Sequence, residues 1–324
     1  MSAGIAAAAI IIVVVSNFLC YVAHEKSLLH AKLRLPRLLF ITNRAAWVDS
    51  KQLPNTYWAF DLLDPAHLVT SLWVPDQAVL TLRILTLVYW IVTLIVEGTT
   101  GDGFGDKPHE WPTFFTNWTF VLFGIWALMG IAVSSIRVFS RSPHERLKLA
   151  DSSAPVSAAV GSDPEYAQNQ DAVKAAALSK WTILDKAYCF VAETNVAATL
   201  FLSGFYWAFL YKGGPVAVDN VLKHGTNNIF TLLDVCMSRL PFVSYHYQVL
   251  LWYGTLYISF MWIYFGDSER WVYDVLDWNK SSSLVLYLLL PIFIFAAFLI
   301  WCSIAAVREA LGRHVPKQHC VFGL

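Results

Sequence analysis

Residues 283–307 read SLVLYLLLPIFIFAAFLIWCSIAAV, a run without a single charged side chain. A helix of about 20 apolar residues crosses a bilayer core about 30 Å thick. Because lipid offers no hydrogen-bond partners, the backbone N–H and C=O groups of a spanning segment must bond to one another, as they do in a helix. Comparable windows lie at about 78–97, 114–137, 187–211 and 244–266, with a shorter and more polar one at 222–239. The sequence therefore predicts an all-α, polytopic transmembrane bundle with six core helices.

The composition supports a membrane class and excludes others. The chain is 57% hydrophobic, 15% aromatic and only 14% charged, whereas soluble domains carry about 25% charged residues. The formal net charge is zero, so no basic field favours nucleic acid as a partner. Five cysteines are scattered without a CxxC pair, which predicts small buried hydrophobes rather than disulfides.

The segments outside the windows divide the chain into three parts. Residues 1–77 combine a predicted anchor helix at 4–23 with an amphiphilic membrane-surface segment at 24–77. Residues 78–310 hold the six-helix bundle, and the Ser/Ala/Asp-rich stretch 138–182 within it is expected to be a mobile loop. Residues 311–324 form a C-terminal tail.

The distribution of charge predicts an orientation. Lys and Arg gather in 24–77, in the 138–182 loop, at Arg239 and in the tail from Arg308 onward, which predicts that these segments lie on the cytoplasmic or matrix side. The opposite loops 98–113 and 267–282 are acidic, with Glu97 at the edge of the first. Six core spans and the anchor then make seven crossings. Endoplasmic reticulum, plasma membrane and mitochondrial inner membrane all fit this multi-pass pattern.

The segment VLKHGTNNIFTLLDVCMSRLP contains a polar stripe with helical spacing. Polar side chains recur at i, i+3, i+4, i+7 and i+10, on one face of a helix: His224, Asn227, Asn228, Thr231 and Asp234. These groups are costly in lipid, so the stripe is expected to face the bundle interior. Two interpretations remain open, a structural hydrogen-bond seam and an active or binding site.

Other polar residues lie inside or beside the apolar windows. Thr116, with its neighbours in FFTNWTF, opens one span, where helix capping is the simplest role. Glu193 and Arg83 lie within windows, so an internal ion pair between them competes with snorkelling of Arg83 toward the interface. His246 lies near a span start and is expected in the interfacial aromatic belt.

Familiar catalytic and cofactor motifs do not occur in the sequence. HExxH and GxSxG are missing, and GDGFGD lacks the strand and the lysine of a phosphate loop. The sequence therefore predicts neither a metal site nor a cofactor.

Four stretches occur together in a familiar order: FFTNWTFVLFGIW, FLSGFYWAFLY, LKHGTNNIFTLLDVCMSRLPF and YHYQVLLWYGTLYISFMWIYFGDSERWVYDVLDW. In this order they resemble the rolling-stone-like membrane proteins over about residues 78–310. That family is distantly similar to the androgen-induced-type hydrolases, which cleave fatty acid esters of hydroxy fatty acids with an intramembrane threonine and a histidine.

The resemblance implies Thr116 at the nucleophile position. Where the hydrolases carry two histidines three residues apart, with the second catalytic, this chain has His224 and then Asn227. Asparagine is no general base near neutral pH, so hydrolysis requires His224 in that role. Rolling-stone-like proteins are associated with myoblast fusion, which implies a membrane-organising role.

Three functions follow as hypotheses. The first is a membrane scaffold or accessory subunit of a membrane protein complex, with membrane lipids and other subunits as partners. The second is an intramembrane lipid-ester hydrolase that uses Thr116 and His224, with Asn227 or Asn228 at an oxyanion. The third is a transporter, the weakest because no inverted repeat or broken span pair is visible.

Overall fold

A computed structural model of the chain describes residues 14–15, 60, 65–99, 110–140, 181–243 and 246–312. Within these ranges every regular element is helical, which confirms the predicted all-α bundle. The longer helices are α1 Asp76–Thr99, α2 Phe115–Ser140, α3 Ile183–Phe205, α4 Asn227–Met237, α5 Tyr247–Ser268 and α6 Ser281–Gly312. Most of the predicted anchor 4–23, most of the 138–182 loop and nearly all of the C-terminal tail lie outside the described residues.

Short helical pieces connect or extend these six helices. Single 3₁₀ turns lie at Pro65–Leu68, Trp111–Thr113 and Asp274–Leu276. Helix α3 continues into a π turn at Tyr206–Leu210. A one-turn helix at Val218–Val221 and a second π turn at Leu222–Thr226 lead directly into α4. Helices α3 and α4, with the segment between them, form a helical hairpin, and each of its two arms carries one π turn.

Four of the described helices are long and apolar enough to cross a membrane, fewer than the six core spans predicted. They are α1, α2, α5 and the Val285–Gly312 part of α6, an arrangement compatible with an integral multi-pass membrane protein. The other two differ for physical reasons. Helix α4 has 11 residues and is therefore about 16 Å long, and α3 carries the buried polar side chains of Asp185, Glu193 and Asn195. The loop orientation stays a prediction.

Helix α2 packs against both α1 and α3, and a glycine permits the first of these contacts. A Cβ on Gly124 would lie within 2.6 Å of Trp90 Cζ2. The indole cannot move away easily, because its Nε1 donates a 2.8 Å hydrogen bond to the carbonyl of Phe120. The α1 and α2 backbones therefore approach closely at this point.

We expect Gly124→Ala to destabilise the protein by about 1–3 kcal/mol, the usual cost of overpacking a close contact. The measurement is thermal unfolding of the purified protein in detergent. Gly204→Ala is the matched control, since a Cβ there meets no atom within 4 Å and alanine favours helix. Equal unfolding temperatures for the two variants would contradict the close α1 and α2 contact.

Candidate functional site

The π turn at Leu222–Thr226 shapes the centre of the predicted polar stripe. Such a turn inserts an extra residue into a helix and changes which side chains point inward. Here two consecutive side chains, Lys223 and His224, are both buried, at 4% and 3% exposure. A regular α-helix would separate them by about 100°. The turn therefore brings a lysine into the bundle that the stripe pattern did not include.

His224 packs against the other π turn. Its ring stacks on the ring of Tyr206, with centroids 3.8 Å apart and planes at 2°. Trp207 Nε1 donates a hydrogen bond to the main-chain carbonyl of His224 at 3.1 Å. Within the protein, His224 Nδ1 has no hydrogen-bond partner among the described residues. The imidazole is thus held by stacking, and its buried Nδ1 is left without a hydrogen bond among the described residues.

The rest of the stripe is buried as predicted. Asn227, Thr231 and Asp234 are 2%, 0% and 0% exposed, while Leu232 on the opposite side is 43% exposed. Asn228 is half-buried and donates from Nδ2 to the hydroxyl of Ser203 in α3. The prediction that this face points into the bundle is therefore confirmed, and part of the stripe forms an α3 to α4 seam.

Arg83 is the one charged residue among the largest fully buried side chains of the described residues, and it pairs with the stripe. Its Nε donates to Asp234 Oδ1 at 2.8 Å, and both side chains are almost fully buried. Further guanidinium hydrogen bonds reach Ser134 Oγ at 2.6 Å and the Leu68 carbonyl at 2.8 Å. Because Arg83 is buried, it does not snorkel toward the interface. The predicted ion pair with Glu193 is also wrong, since the partner of Arg83 is Asp234.

Glu193 instead pairs with His246. Its Oε2 lies 2.7 Å from His246 Nδ1, and its Oε1 accepts the backbone N–H of Val243 at 3.0 Å. His246 is 1% exposed, so its predicted place in an interfacial aromatic belt is wrong. The reason is tertiary: the chain before α5 turns inward to meet α3, and this approach is invisible in local hydropathy.

A second charged pair lies at the other end of α1. Glu97, expected at the edge of an acidic loop, is 2% exposed and accepts a hydrogen bond from the Lys223 ammonium. Lys223 also donates to Asn117 Oδ1 at 2.8 Å, and Trp111 Nε1 donates to Glu97 Oε1 at 2.9 Å. The Lys223 charge therefore has two acceptors inside the bundle.

The two pairs join α1 to the same arm of the hairpin at both ends. Arg83 and Asp234 meet near the start of α1, and Glu97 and Lys223 meet near its end. Between them, the rings of Tyr89 and Phe230 stack at 4.5 Å. Since low-dielectric surroundings strengthen each attraction, this arrangement fixes the antiparallel register of the two helices.

Thr116 lies in a different environment from His224. It is half-buried in the first turn of α2, beside the Tyr273 hydroxyl, which also accepts the backbone N–H of Phe115 at 3.1 Å. Both residues are described, and no hydrogen bond joins Thr116 to His224. The structure thus places the two predicted catalytic residues without the contact that a nucleophile and its base require.

An apolar cavity of about 210 Å³ lies between α2, α3, α5 and α6; Thr116 does not line it, but its neighbour Phe115 and its contact Tyr273 do. Its lining includes the side chains of Phe115, Tyr257, Tyr273 and Pro291. The Tyr257 hydroxyl donates to the Thr113 carbonyl at 2.8 Å, so this polar group is already satisfied. The cavity chemistry suits a hydrocarbon chain better than a polar ligand.

Several residues of these clusters escaped the sequence analysis. The charged ones are Lys223, Arg308 and Glu309; Arg308 and Glu309 are buried near the end of α6, where Glu309 pairs with Arg239 and Arg308. Arg239 and Arg308 had been counted only as positive charges of one membrane side. A signal was available in the sequence for Lys223, because it lies inside the 222–239 window and a charge within such a window needs a partner.

No protein-family model matches this chain, and neither the curated proteins nor the solved structures yield a significant match. The resemblance to rolling-stone-like proteins therefore stays a prediction, and function has to be inferred from the geometry of the described residues.

Proposed function

We propose that the protein is an integral membrane scaffold or an accessory subunit of a membrane protein complex. The observation that carries this proposal is the pairing of its buried charges with one another across elements. Arg83 with Asp234, Lys223 with Glu97 and Glu193 with His246 each join segments far apart in the chain. Such pairs specify the relative positions of helices, as a structural subunit requires. They also occupy the ionisable side chains that a catalytic mechanism would need as acids or bases.

The outer faces of the helices offer surface for lipids and for a partner. On α1, large apolar side chains repeat at helical spacing and are 44% to 58% exposed. They are Ile84, Leu85, Val88, Ile91, Val92 and Ile95. Membrane lipids cover such faces in a monomer, and another subunit covers one of them in a complex.

Photo-crosslinking from native membranes tests the proposal. A photoreactive phenylalanine analogue is placed in the full-length protein at Val88 or Ile95 on α1, and at Leu256 or Ile263 on α5. A bound subunit yields a discrete protein adduct at neighbouring positions of one face and none on the other. Lipid surroundings alone yield no discrete protein adduct at any position, and this outcome would contradict the subunit proposal.

A second candidate is an intramembrane lipid-ester hydrolase with Thr116 as nucleophile and His224 as base. The apolar cavity lined by Phe115 and Tyr273 favours it, because the Thr116 hydroxyl contacts Tyr273 and an acyl chain in the cavity would bring its ester toward that hydroxyl. The lack of a hydrogen bond between Thr116 and His224 argues against it, although such bonds tighten when substrate binds.

We expect the purified wild-type protein and Thr116→Ala to release fatty acid from a hydroxy fatty acid ester at the same background rate. The measurement is fatty acid release by mass spectrometry from protein in mixed micelles. Thr93→Ala is the control for loss of a threonine hydroxyl within the bundle, because Thr93 is buried and its hydroxyl bonds its own helix, at the Tyr89 carbonyl. A tenfold loss in Thr116→Ala that Thr116→Ser restores would replace the scaffold by the hydrolase.

A further inference from the structure

Three side chains that ligate transition metals meet where α3 faces the start of α5. Cys189 and Glu193 lie one helical turn apart on the same face of α3, and His246 immediately precedes α5. Their potential ligand atoms lie within 4.8 Å of one another. The three side chains are 0%, 1% and 1% exposed, so the cluster lies in the interior of the bundle, away from lipid and bulk water.

The surroundings hold two of these groups in place. The Glu193 carboxylate contacts His246 Nδ1 at 2.7 Å through Oε2, while Oε1 accepts the Val243 N–H at 3.0 Å. The rings of Phe60 and Phe190 flank the imidazole, with centroids 5.8 Å and 5.1 Å away. A backbone donor orienting the carboxylate and an apolar shell are both features of metal sites in proteins.

We propose that Cys189, Glu193 and His246 bind a zinc ion. Thiolate, carboxylate and neutral imidazole are ligands that zinc accepts. Their charges also balance, since one thiolate and one carboxylate cancel the two positive charges of the ion. A neutral assembly avoids the large cost of a net charge in a low-dielectric interior.

Cys302 of α6 is fully buried but does not belong to the cluster, and the charge balance also argues against it as a ligand. A second thiolate would leave the loaded site with a net negative charge. Zinc therefore takes three protein ligands here, and its fourth position is left for water, as in sites that are not closed by protein.

Binding requires only small movements of the side chains. Zinc bond lengths of about 2.0–2.3 Å separate ligand atoms by about 3.3–3.7 Å in a tetrahedron. The contact between Glu193 and His246 opens slightly, and Cys189 moves toward them. The ion displaces the thiol proton of Cys189, and His246 binds as a neutral imidazole that keeps one N–H on the ring nitrogen that does not bind zinc. The loaded site ties α3 to α5 at this end of the bundle.

The test uses the full-length protein purified in mild detergent from zinc-supplemented cells. We expect about one zinc ion per chain by mass spectrometry of the metal. Exchange with cobalt(II) is expected to give a thiolate-to-cobalt charge-transfer band in the near ultraviolet. Cys189→Ser leaves the pair between Glu193 and His246 intact, so it tests the ligand rather than folding. It should lower zinc content at least tenfold and abolish the band.

Two buried or half-buried thiols provide matched controls. Cys302→Ser and Cys236→Ser are expected to retain zinc and the cobalt band, because neither residue belongs to the cluster. Folded wild-type protein that neither retains zinc nor gives the cobalt band would overturn the proposal. Zinc retained equally by Cys189→Ser and His246→Gln would also overturn it, since the ion would then lie elsewhere.

Discussion

Replacing Asp234 with alanine is expected to destabilise the bundle by about 3–5 kcal/mol, the cost of leaving a buried charge without its partner. The Arg83 guanidinium would keep its hydrogen bonds to Ser134 and to the Leu68 carbonyl. It would lose the only carboxylate with which it forms an ion pair among the described residues. Arginine stays charged under all practical conditions, so it cannot escape the cost by losing a proton.

The measurement is resistance to unfolding of the purified protein in detergent, followed by thermal loss of the folded elution peak. The double variant Arg83→Met with Asp234→Leu removes both charges and is expected to recover most of the loss. Leu232→Ala is the matched control from the exposed face of α4 and should cost far less. A double variant no more stable than Asp234→Ala alone would contradict a pairing of these two charges.

Replacing Glu97 with alanine is expected to have the second large effect. We expect the free energy of unfolding to fall by about 3 kcal/mol, at the lower end of the range for a broken buried ion pair. Two features of Lys223 make it smaller than the loss at Asp234. The ammonium keeps Asn117 Oδ1 as an acceptor at 2.8 Å, and a lysine, unlike an arginine, can lose its proton when stranded. Trp111 Nε1 would also lose its acceptor on Glu97.

An exposed pair at the same end of the bundle provides the comparison. Glu110 and Arg270 form an ion pair in which the arginine is 66% exposed, and such pairs contribute about 0–1 kcal/mol. Glu110→Ala is therefore expected to shift the unfolding temperature much less than Glu97→Ala. If the two variants were equally stable, the register of α1 and the hairpin arm would not depend on the buried pair.

The sequence pattern predicted the burial of Asp234 but not that of Glu97. Asp234 belonged to the polar stripe, and its burial was predicted correctly because its spacing repeats with the helix period. Glu97 is the last residue of an apolar window and was assigned to the edge of the following acidic loop. The difference arises because periodicity reports which face of a helix is polar, whereas the end of a window is a boundary that hydropathy places poorly.

The candidate site shows the same division. His224 was found from spacing alone, but the π turn that buries Lys223 beside it has no counterpart in the predicted regular helix. The proposed zinc ligands likewise come from two helices, and only Cys189 and Glu193 are neighbours by sequence spacing. His246 joins them across 53 residues, so a search for local metal motifs could not find the cluster.

The sequence by itself determined the fold class, the approximate positions of the helices and the polar face of α4. Long apolar windows and a period of 3.6 residues are local properties of the sequence. In lipid, an apolar window of that length can satisfy its backbone hydrogen bonds in few structures, of which the helix is one. Only the tertiary structure decided the partners: Arg83 with Asp234 instead of Glu193, and Glu193 with His246. Partner choice depends on how helices distant in sequence pack at matching depth, and no local pattern encodes that geometry.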